Sequence, residues 1–366
     1  MTGWKTGLDD PVDGRALALL RIAAGPIVLI HLRPFLEAAL DGTIYSDRFY
    51  LPFVSWYPEL PRSAYVALLW LLAAGAVFLS IGLATRLIAW LIVGGVAYNL
   101  FLSQTHFHHN RAFLIILLVG LAVLPSGSAL SVDRILARRA GSDPHQTGSS
   151  GLALTVLRLE VATVYFASGF SKLIDSDWIG GTVTRIRVER YAGDLLQRGW
   201  SDGLVDLLAD PGFHAVAAPI VVATELFIGA GLLWRRTRLG AVWVAIPFHL
   251  SIEVFAEVQV FSIAGLAALV IWVTPARHDR TVRVRSHRRA RWVRALDWTG
   301  RFRVEVDAGL TSIEVGDRRL RRRGRDAALF TASRLPLTFW LAAPWLLLTR
   351  GRGTSGVGSR QVTGQR

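Results

Sequence analysis

The stretch that decides the fold is LALTVLRLEVATVYFASGFSKLIDSDWIGG, residues 152–181, in which an apolar run ends at Lys172. The run from 152 to 171 is long enough to cross the hydrocarbon core of a bilayer as a helix, which takes about 17–25 residues. The chain has only one other lysine, Lys5, against 39 arginines. A lysine at the end of this helix is therefore an unusual choice of cation.

The composition of the whole chain predicts the same environment. It has 366 residues, 52% of them hydrophobic, with 13 Trp and a mean hydropathy of +0.39, which indicates a membrane protein. The absence of Cys excludes disulfides and thiolate metal sites. Apolar segments of spanning length lie near 15–40, 64–82, 86–102, 110–126, 152–171, 212–234, 238–256 and 260–275. The predicted fold class is an all-α polytopic membrane helix bundle of about eight spans.

The net charge of +14 is concentrated near the C-terminus. Residues 1–276 hold 20 basic and 20 acidic residues, whereas 277–334 hold 17 Arg against 7 acidic residues. The basic loop segments DRILARR (133–139) and RRTR (235–238) fall on the same side of the predicted bundle as this tail. The positive-inside rule then predicts a bacterial cytoplasmic membrane protein with both termini in the cytoplasm. We expect the tail to meet anionic lipid rather than nucleic acid, since no RNA-binding motif or zinc finger accompanies the charge.

Four regions are predicted along the chain: a membrane domain over 1–276, a small basic α+β appendage over 277–334, an interfacial or docked apolar helix over 335–349, and a disordered tail over 350–366. The appendage alternates apolar and polar residues in TVRVR, RFRVEV and TSIEV, with Gly316-Asp317 as a hairpin turn. The segment RRARWVRALDW between the first two predicts an amphipathic helix.

The predicted topology collects polar residues at the outer membrane face. Four of the nine histidines are expected there, together with a set of amides and carboxylates. These residues are His106, His108, His109, His249, Asn110, Asp175, Asp177, Glu253, Glu257 and Gln259. Ionisable groups at membrane depth are expensive to bury and are therefore functional suspects.

Each suspect has a structural alternative. Lys172 is either a desolvated base, since an amine can lose its proton where a guanidinium cannot, or a lysine that reaches from a helix end to water. Tyr165, Ser168 and Gly169 share its helix face. The histidines could hold a metal, but HFHH lacks the i, i+4 spacing of helical zinc sites, and no metal is expected. His249 could be a hydrogen-bonded packing residue, and Arg158, Glu160 and Glu225 are predicted to pair within the bundle.

Three ordered segments resemble a known family. They are HNRAFL (109–114), YFASGFSKLIDSDWIGG (165–181), and TELFIGAGLLWRRTRLGAVWVAIPFHL (224–250) followed by VFSIAGLAALVIWVTP (260–275). They resemble the membrane domain of vitamin K-dependent gamma-carboxylases and of the related bacterial HTTM (horizontally transferred transmembrane) proteins. The resemblance covers the membrane body of the chain.

The resemblance implies roles for individual residues. Lys172 falls on the family's catalytic lysine, which deprotonates reduced vitamin K, or here menaquinone, for reaction with O2. The base that results removes a glutamate γ-proton, CO2 adds there, and the quinone epoxide remains. His249 is implied as a second catalytic residue that positions the base. The implied substrate-binding residues are His109, Asn110, Arg111, Tyr165, Asp175, Asp177 and Trp178.

The sequence departs from the family pattern at several points. Ser171 stands where the carboxylases have another lysine, Ile174 is a one-residue insertion, and Arg111 replaces a histidine. A short basic tail takes the place of their large lumenal region, so an acceptor protein or peptide is left unassigned. The alternative to a quinol-dependent enzyme is a non-enzymatic lipid or quinone binder, or a carrier, in which Lys172 forms a structural ion pair with Asp175 and Asp177.

Overall fold

The computed structural model describes residues 14–43, 51–142, 151–234, 237–255, 260–273, 280–297, 300–316, 321–335 and 337–350. They fall into two compact units, 1–274 and 275–366. Several features named above lie outside the described residues, among them Lys5, Arg235, Arg236, Glu257, Gln259, Asp317 and the tail from 351 onward.

The described elements of the first unit are all helices. Its longer helices are α1 (Gly14–Asp41), α2 (Arg62–Ile81), α3 (Thr85–Leu102), α4 (His109–Val123), α6 (Gly151–Leu173), α8 (Thr182–Gln197), α10 (Pro211–Leu233), α11 (Arg238–Phe255) and α12 (Val260–Ala268). Shorter helices are α5 (Val132–Arg139), α7 (Ser176–Ile179) and α9 (Asp202–Ala209), with 3-10 turns at Gln104–His106 and Leu269–Trp272.

Five helices are long and apolar enough to cross a membrane, namely α1, α2, α3, α6 and α10. The other three predicted spans coincide with α4, α11 and α12, and the number eight stays a prediction. The outer surfaces of the long helices carry large apolar side chains, with Leu71 65%, Leu87 62% and Val216 64% exposed. Such surfaces need an apolar solvent, so the described helices support a multi-pass membrane protein.

Arg21, which interrupts the first apolar run, is completely buried in the bundle. Its guanidinium donates hydrogen bonds to the carbonyl oxygens of Leu79 and Ser80 at the end of α2 (2.8 Å each) and to that of Ser126 after α4 (3.1 Å). It also donates to the carbonyl oxygens of Ala129 and Leu130. Arg21 thus satisfies backbone groups that end two helices, where lipid offers no partner.

The second unit is a small α+β structure with its own apolar core. Its strands are β1 (Arg280–Val284), β2 (Phe302–Val306), β3 (Glu314–Gly316) and β4 (Arg321–Arg323), in the order β2-β1-β3-β4. Strand β1 is parallel to β2 and antiparallel to β3. Helix α13 (His287–Leu296) lies between β1 and β2, and α14 (Gly324–Ala332) and α15 (Phe339–Arg350) follow the sheet. Val282, Phe302 and Phe330 belong to the core.

Candidate functional site

Helix α6 places Tyr165, Ser168 and Lys172 on one face. Their spacing of three, four and seven residues matches the 3.6-residue turn, so the side chains stack along one stripe of the helix. Gly169 lies on the same stripe and lets α10 approach, since a Cβ there would lie 3.0 Å from two side-chain atoms of Leu226. The local sequence thus builds a polar stripe along a helix contact.

Lys172 is held by a carboxylate from the neighbouring helix. Its Nζ atom lies 2.6 Å from Glu225 Oε2 on α10 and donates to Ser168 Oγ at 2.5 Å. The Ser168 hydroxyl in turn donates to Glu225 Oε1 at 3.0 Å. The Lys172 side chain is 17% exposed and that of Glu225 only 3%. The three groups form a closed ring of charge-assisted hydrogen bonds between α6 and α10.

The acidic segment after α6 shapes the rim of this site. The Asp175 carboxylate accepts hydrogen bonds from the backbone N–H groups of Asp177 and Trp178 and so caps α7. Asp177 is exposed. The prediction that Lys172 pairs with these two aspartates is therefore wrong, because the capping geometry turns Asp175 toward the backbone while Glu225 reaches the amine.

Trp178 covers the amine from the rim. Lys172 Nζ lies 5.0 Å from the centroid of the indole ring, and the guanidinium carbon of Arg187 lies 5.2 Å from it. Both distances fall within the range of cation–π attraction. The indole thus shields one side of the Lys172 ammonium from water.

Tyr165, two turns before Lys172, contacts α11. Its hydroxyl lies 2.5 Å from His249 Nε2, and both side chains are buried. The His249 ring packs against Phe248 and Phe261. Its Nδ1 atom is buried with no hydrogen-bond partner among the residues that the structure describes. This hydrogen bond fits the alternative in which His249 is a hydrogen-bonded packing residue.

Gly265 on α12 makes room for the His249 ring. A Cβ at this position would lie 2.3 Å from Cε1 and 2.4 Å from Nε2 of the imidazole. Real Cβ atoms do not approach that closely, so the absence of a side chain at 265 fixes where the imidazole lies.

The segment SQTHFHHN forms a different cluster. Asn110 is buried, and its backbone N–H donates to His108 Nδ1, which caps α4. Arg111 donates to the carbonyl oxygen of His106. Burial lowers the pKa of His106, and the nearby charge of Arg111 lowers it further against the opposing effect of a hydrogen bond to the Asn99 backbone. His106 is therefore neutral at neutral pH.

The four histidines expected at one face serve separate purposes. The His106 ring packs against Phe35, while His108 and His109 are exposed at the start of α4. His249 pairs with Tyr165 in the bundle. Within the described ranges no group of three or more His, Asp or Glu residues is arranged to hold a metal ion.

The three residues predicted to pair within the bundle lie in three different environments. Arg158 donates through two nitrogens to the carbonyl oxygen of Ile271, at 3.1 and 2.6 Å. Glu160 is exposed on α6. Glu225 does pair within the bundle, with Lys172. Sequence reasoning did not name this partner, although one signal was present: a lone carboxylate inside the apolar run of α10 needs a cation, and lysines are nearly absent.

Comparison with known protein families identifies the helical unit of the chain. The sequence model of the HTTM domain matches residues 10–276. The chain therefore belongs to the HTTM family, and the resemblance to the membrane domain of gamma-carboxylases is consistent with that membership. No curated protein and no solved structure matches it.

Proposed function

We propose that this membrane protein is a quinol-dependent enzyme of the gamma-carboxylase kind, with Lys172 as proton acceptor. The observation that carries the proposal is the Lys172–Glu225–Ser168 ring, in which a nearly unique lysine is mostly shielded from water. Tyr165, on the same face of α6, and its partner His249 on α11 provide the second polar group of the site.

The ion pair provides a route to a neutral amine. Moving one proton over the 2.6 Å from Lys172 Nζ to Glu225 Oε2 converts two charges into a neutral amine and a carboxylic acid. A water-poor site penalises separated charges, so the neutral arrangement costs less there than in water. The amine can then take a proton from a phenolic hydroxyl, while Ser168 keeps its hydrogen bond to Glu225.

The residues present fit a hydroquinone ligand. The orphaned Nδ1 atom of His249 can bond to a hydroxyl, and the rings of Phe248 and Phe261 provide an apolar wall beside it. When bound, reduced vitamin K or menaquinone would supply the reaction with O2 that drives addition of CO2 to a carbon acid. The chain's own part is to bind the ring, exclude water through Trp178 and accept the proton at Lys172.

The test is epoxide formation by the purified protein in nanodiscs supplied with reduced menaquinone, O2 and CO2. We expect epoxide from the native chain and a loss of about 100-fold or more in Lys172→Ala and Lys172→Arg, since general bases contribute about 10²–10⁴ in rate. Arg185→Gln, which removes an exposed cation paired with Glu189, is the matched control and should retain activity. No epoxide from the native chain, or equal rates in all variants, would refute the proposal.

A second candidate function is a non-enzymatic quinone or lipid binder. The complete pairing of Lys172 by Glu225 and Ser168 favours it, because a satisfied ion pair joining α6 to α10 needs no further task. Saturable quinone binding by both native protein and Lys172→Ala, with no turnover by either, would support this reading.

We propose further that the protein lies in a bacterial cytoplasmic membrane with both termini inside and with anionic lipid next to its basic appendage. The absence of Cys allows a clean test, since a single introduced thiol has no background. On intact cells, an impermeant maleimide should label Ser176→Cys after α6 but not Ser142→Cys after α5. The opposite pattern would invert the proposed orientation.

A further inference from the structure

A second polar cluster, separate from Lys172, joins α1 to the region where α3 meets α4. It contains four buried nitrogen atoms with no hydrogen-bond partner among the described residues: His31 Nε2, Asn99 Nδ2, His106 Nδ1 and Arg111 Nε. His31 is 3% exposed and Asn99 is fully buried. Polar nitrogens that are buried without a partner are costly, so four of them in one cluster indicate a site that is completed by something else.

Aromatic packing brings three of these groups together. The guanidinium carbon of Arg111 lies 4.6 Å from the centroid of the Phe35 ring. The ring centroids of His31 and His106 lie 5.4 and 5.2 Å from that of the same phenylalanine. Phe35 is itself buried and is therefore a fixed platform around which the three side chains are arranged.

Asn99 is attached to the same cluster by hydrogen bonds. The Tyr65 hydroxyl donates to Asn99 Oδ1 at 2.8 Å. The backbone of Asn99 also forms a hydrogen bond with the His106 side chain. With its oxygen occupied by Tyr65, the amide is oriented so that only its NH2 group is left to donate.

The charge of the cluster is not balanced within the part of the chain that the structure describes. Arg111 donates to a backbone carbonyl, that of His106, and no described carboxylate pairs with it. A guanidinium cannot lose its proton, so a half-buried arginine needs an anionic partner or several acceptors. The cluster therefore presents one positive charge together with the neutral side chains of His31, Asn99 and His106.

We propose that this cluster binds a carboxylate group. A carboxylate only accepts hydrogen bonds, has about four acceptor positions, and matches the planar fork of an arginine. Arg111 Nε would hold one oxygen, and His31 Nε2 and Asn99 Nδ2 would donate to the remaining positions. The inference needs no reaction at Lys172 and stands independently of the proposed function.

The test is equilibrium binding to the full-length protein in nanodiscs of phosphatidylcholine, with empty nanodiscs as background. Radiolabelled laurate represents a carboxylate that arrives through the bilayer, and acetate represents one that arrives from water. Dodecanol has the same chain as laurate without the charge. We expect saturable binding of laurate, acetate or both, and none of dodecanol. Laurate alone would identify a lipid-borne carboxylate, and acetate binding would identify access from water.

The variants separate a binding role from a structural one. Arg111→Gln should weaken binding by about 10- to 100-fold, since hydrogen bonds to charged groups are the strong ones. His31→Phe keeps a ring against Phe35 and should weaken binding by about 5- to 10-fold. Arg86→Gln is the control, because Arg86 likewise donates to backbone carbonyls, those of Ala122 and Val123, and it should bind as the native chain does.

Three outcomes would overturn the proposal. They are no saturable binding of either carboxylate, equal binding of dodecanol, and native affinity in both Arg111→Gln and His31→Phe. If Arg111→Gln does not fold, Arg111→Lys, which keeps the charge but not the fork, and His31→Phe decide the matter.

Discussion

Removing either member of the Lys172–Glu225 pair should destabilise the protein strongly and unequally. At 2.6 Å and an effective dielectric constant of about 20, the Coulomb attraction is about 6 kcal/mol, which desolvation of both groups largely offsets. Removing one partner leaves the other buried and unpaired, which costs about 3–5 kcal/mol. Glu225 is 3% and Lys172 17% exposed, so the orphaned carboxylate should cost more than the orphaned amine.

We therefore expect Lys172→Met to lower the free energy of unfolding by about 5 kcal/mol and Glu225→Gln by about 3 kcal/mol. The double variant Lys172→Met/Glu225→Met should lose far less than the sum, because two apolar side chains leave no buried charge. Tryptophan fluorescence during unfolding by SDS in mixed micelles measures all three.

The chain offers a matched control at nearly the same distance. Arg185 and Glu189 lie 2.7 Å apart but are 35% and 44% exposed, so their removal should change the free energy of unfolding by at most about 0.5 kcal/mol. Losses below about 1 kcal/mol for both single variants of the buried pair, or a double variant equal to their sum, would refute the argument from burial.

Two further predictions concern packing and backbone satisfaction in the bundle. Gly265→Ala should destabilise the protein by about 1–3 kcal/mol, because its Cβ would collide with the His249 ring. Gly94→Ala is the control: a Cβ at position 94 meets nothing within 4 Å, so this variant should be neutral in the same SDS titration. Arg21→Gln should cost about 3 kcal/mol or more, because it frees buried carbonyls. Arg33→Gln, in an exposed i, i+4 pair, should leave the thermal unfolding midpoint unchanged. Equal effects within either pair would contradict the reasoning.

The composition and periodicity were sufficient for the fold class and for most element positions. Apolar runs predicted the long helices because a membrane helix satisfies its own backbone, and this makes its signal local. The alternation in TVRVR and RFRVEV predicted β1 and β2, because successive side chains of a strand point to opposite faces of the sheet. The number of spans could not be fixed, since α4 and α12 are too short for length alone to decide.

The candidate site was predictable only in part. Lys172 stood out by rarity, and the shared face of Tyr165 and Ser168 follows from helix geometry. The hydrogen-bonding partner of Lys172 could not be predicted from the sequence. The capping preference of Asp175 and the rotation of α10 decided that Glu225 pairs with the lysine. His31 showed no sequence signal that linked it to Arg111.

The sequence alone therefore determined that the chain is a membrane helix bundle with a basic α+β appendage, because hydrophobicity and charge act residue by residue. Only the tertiary structure decided which polar groups meet, namely Lys172 with Glu225, Tyr165 with His249, and Arg111 with Phe35. Those contacts depend on the rotation and close approach of helices distant in sequence. Such approach is set by packing along whole helix faces, and no local pattern records it.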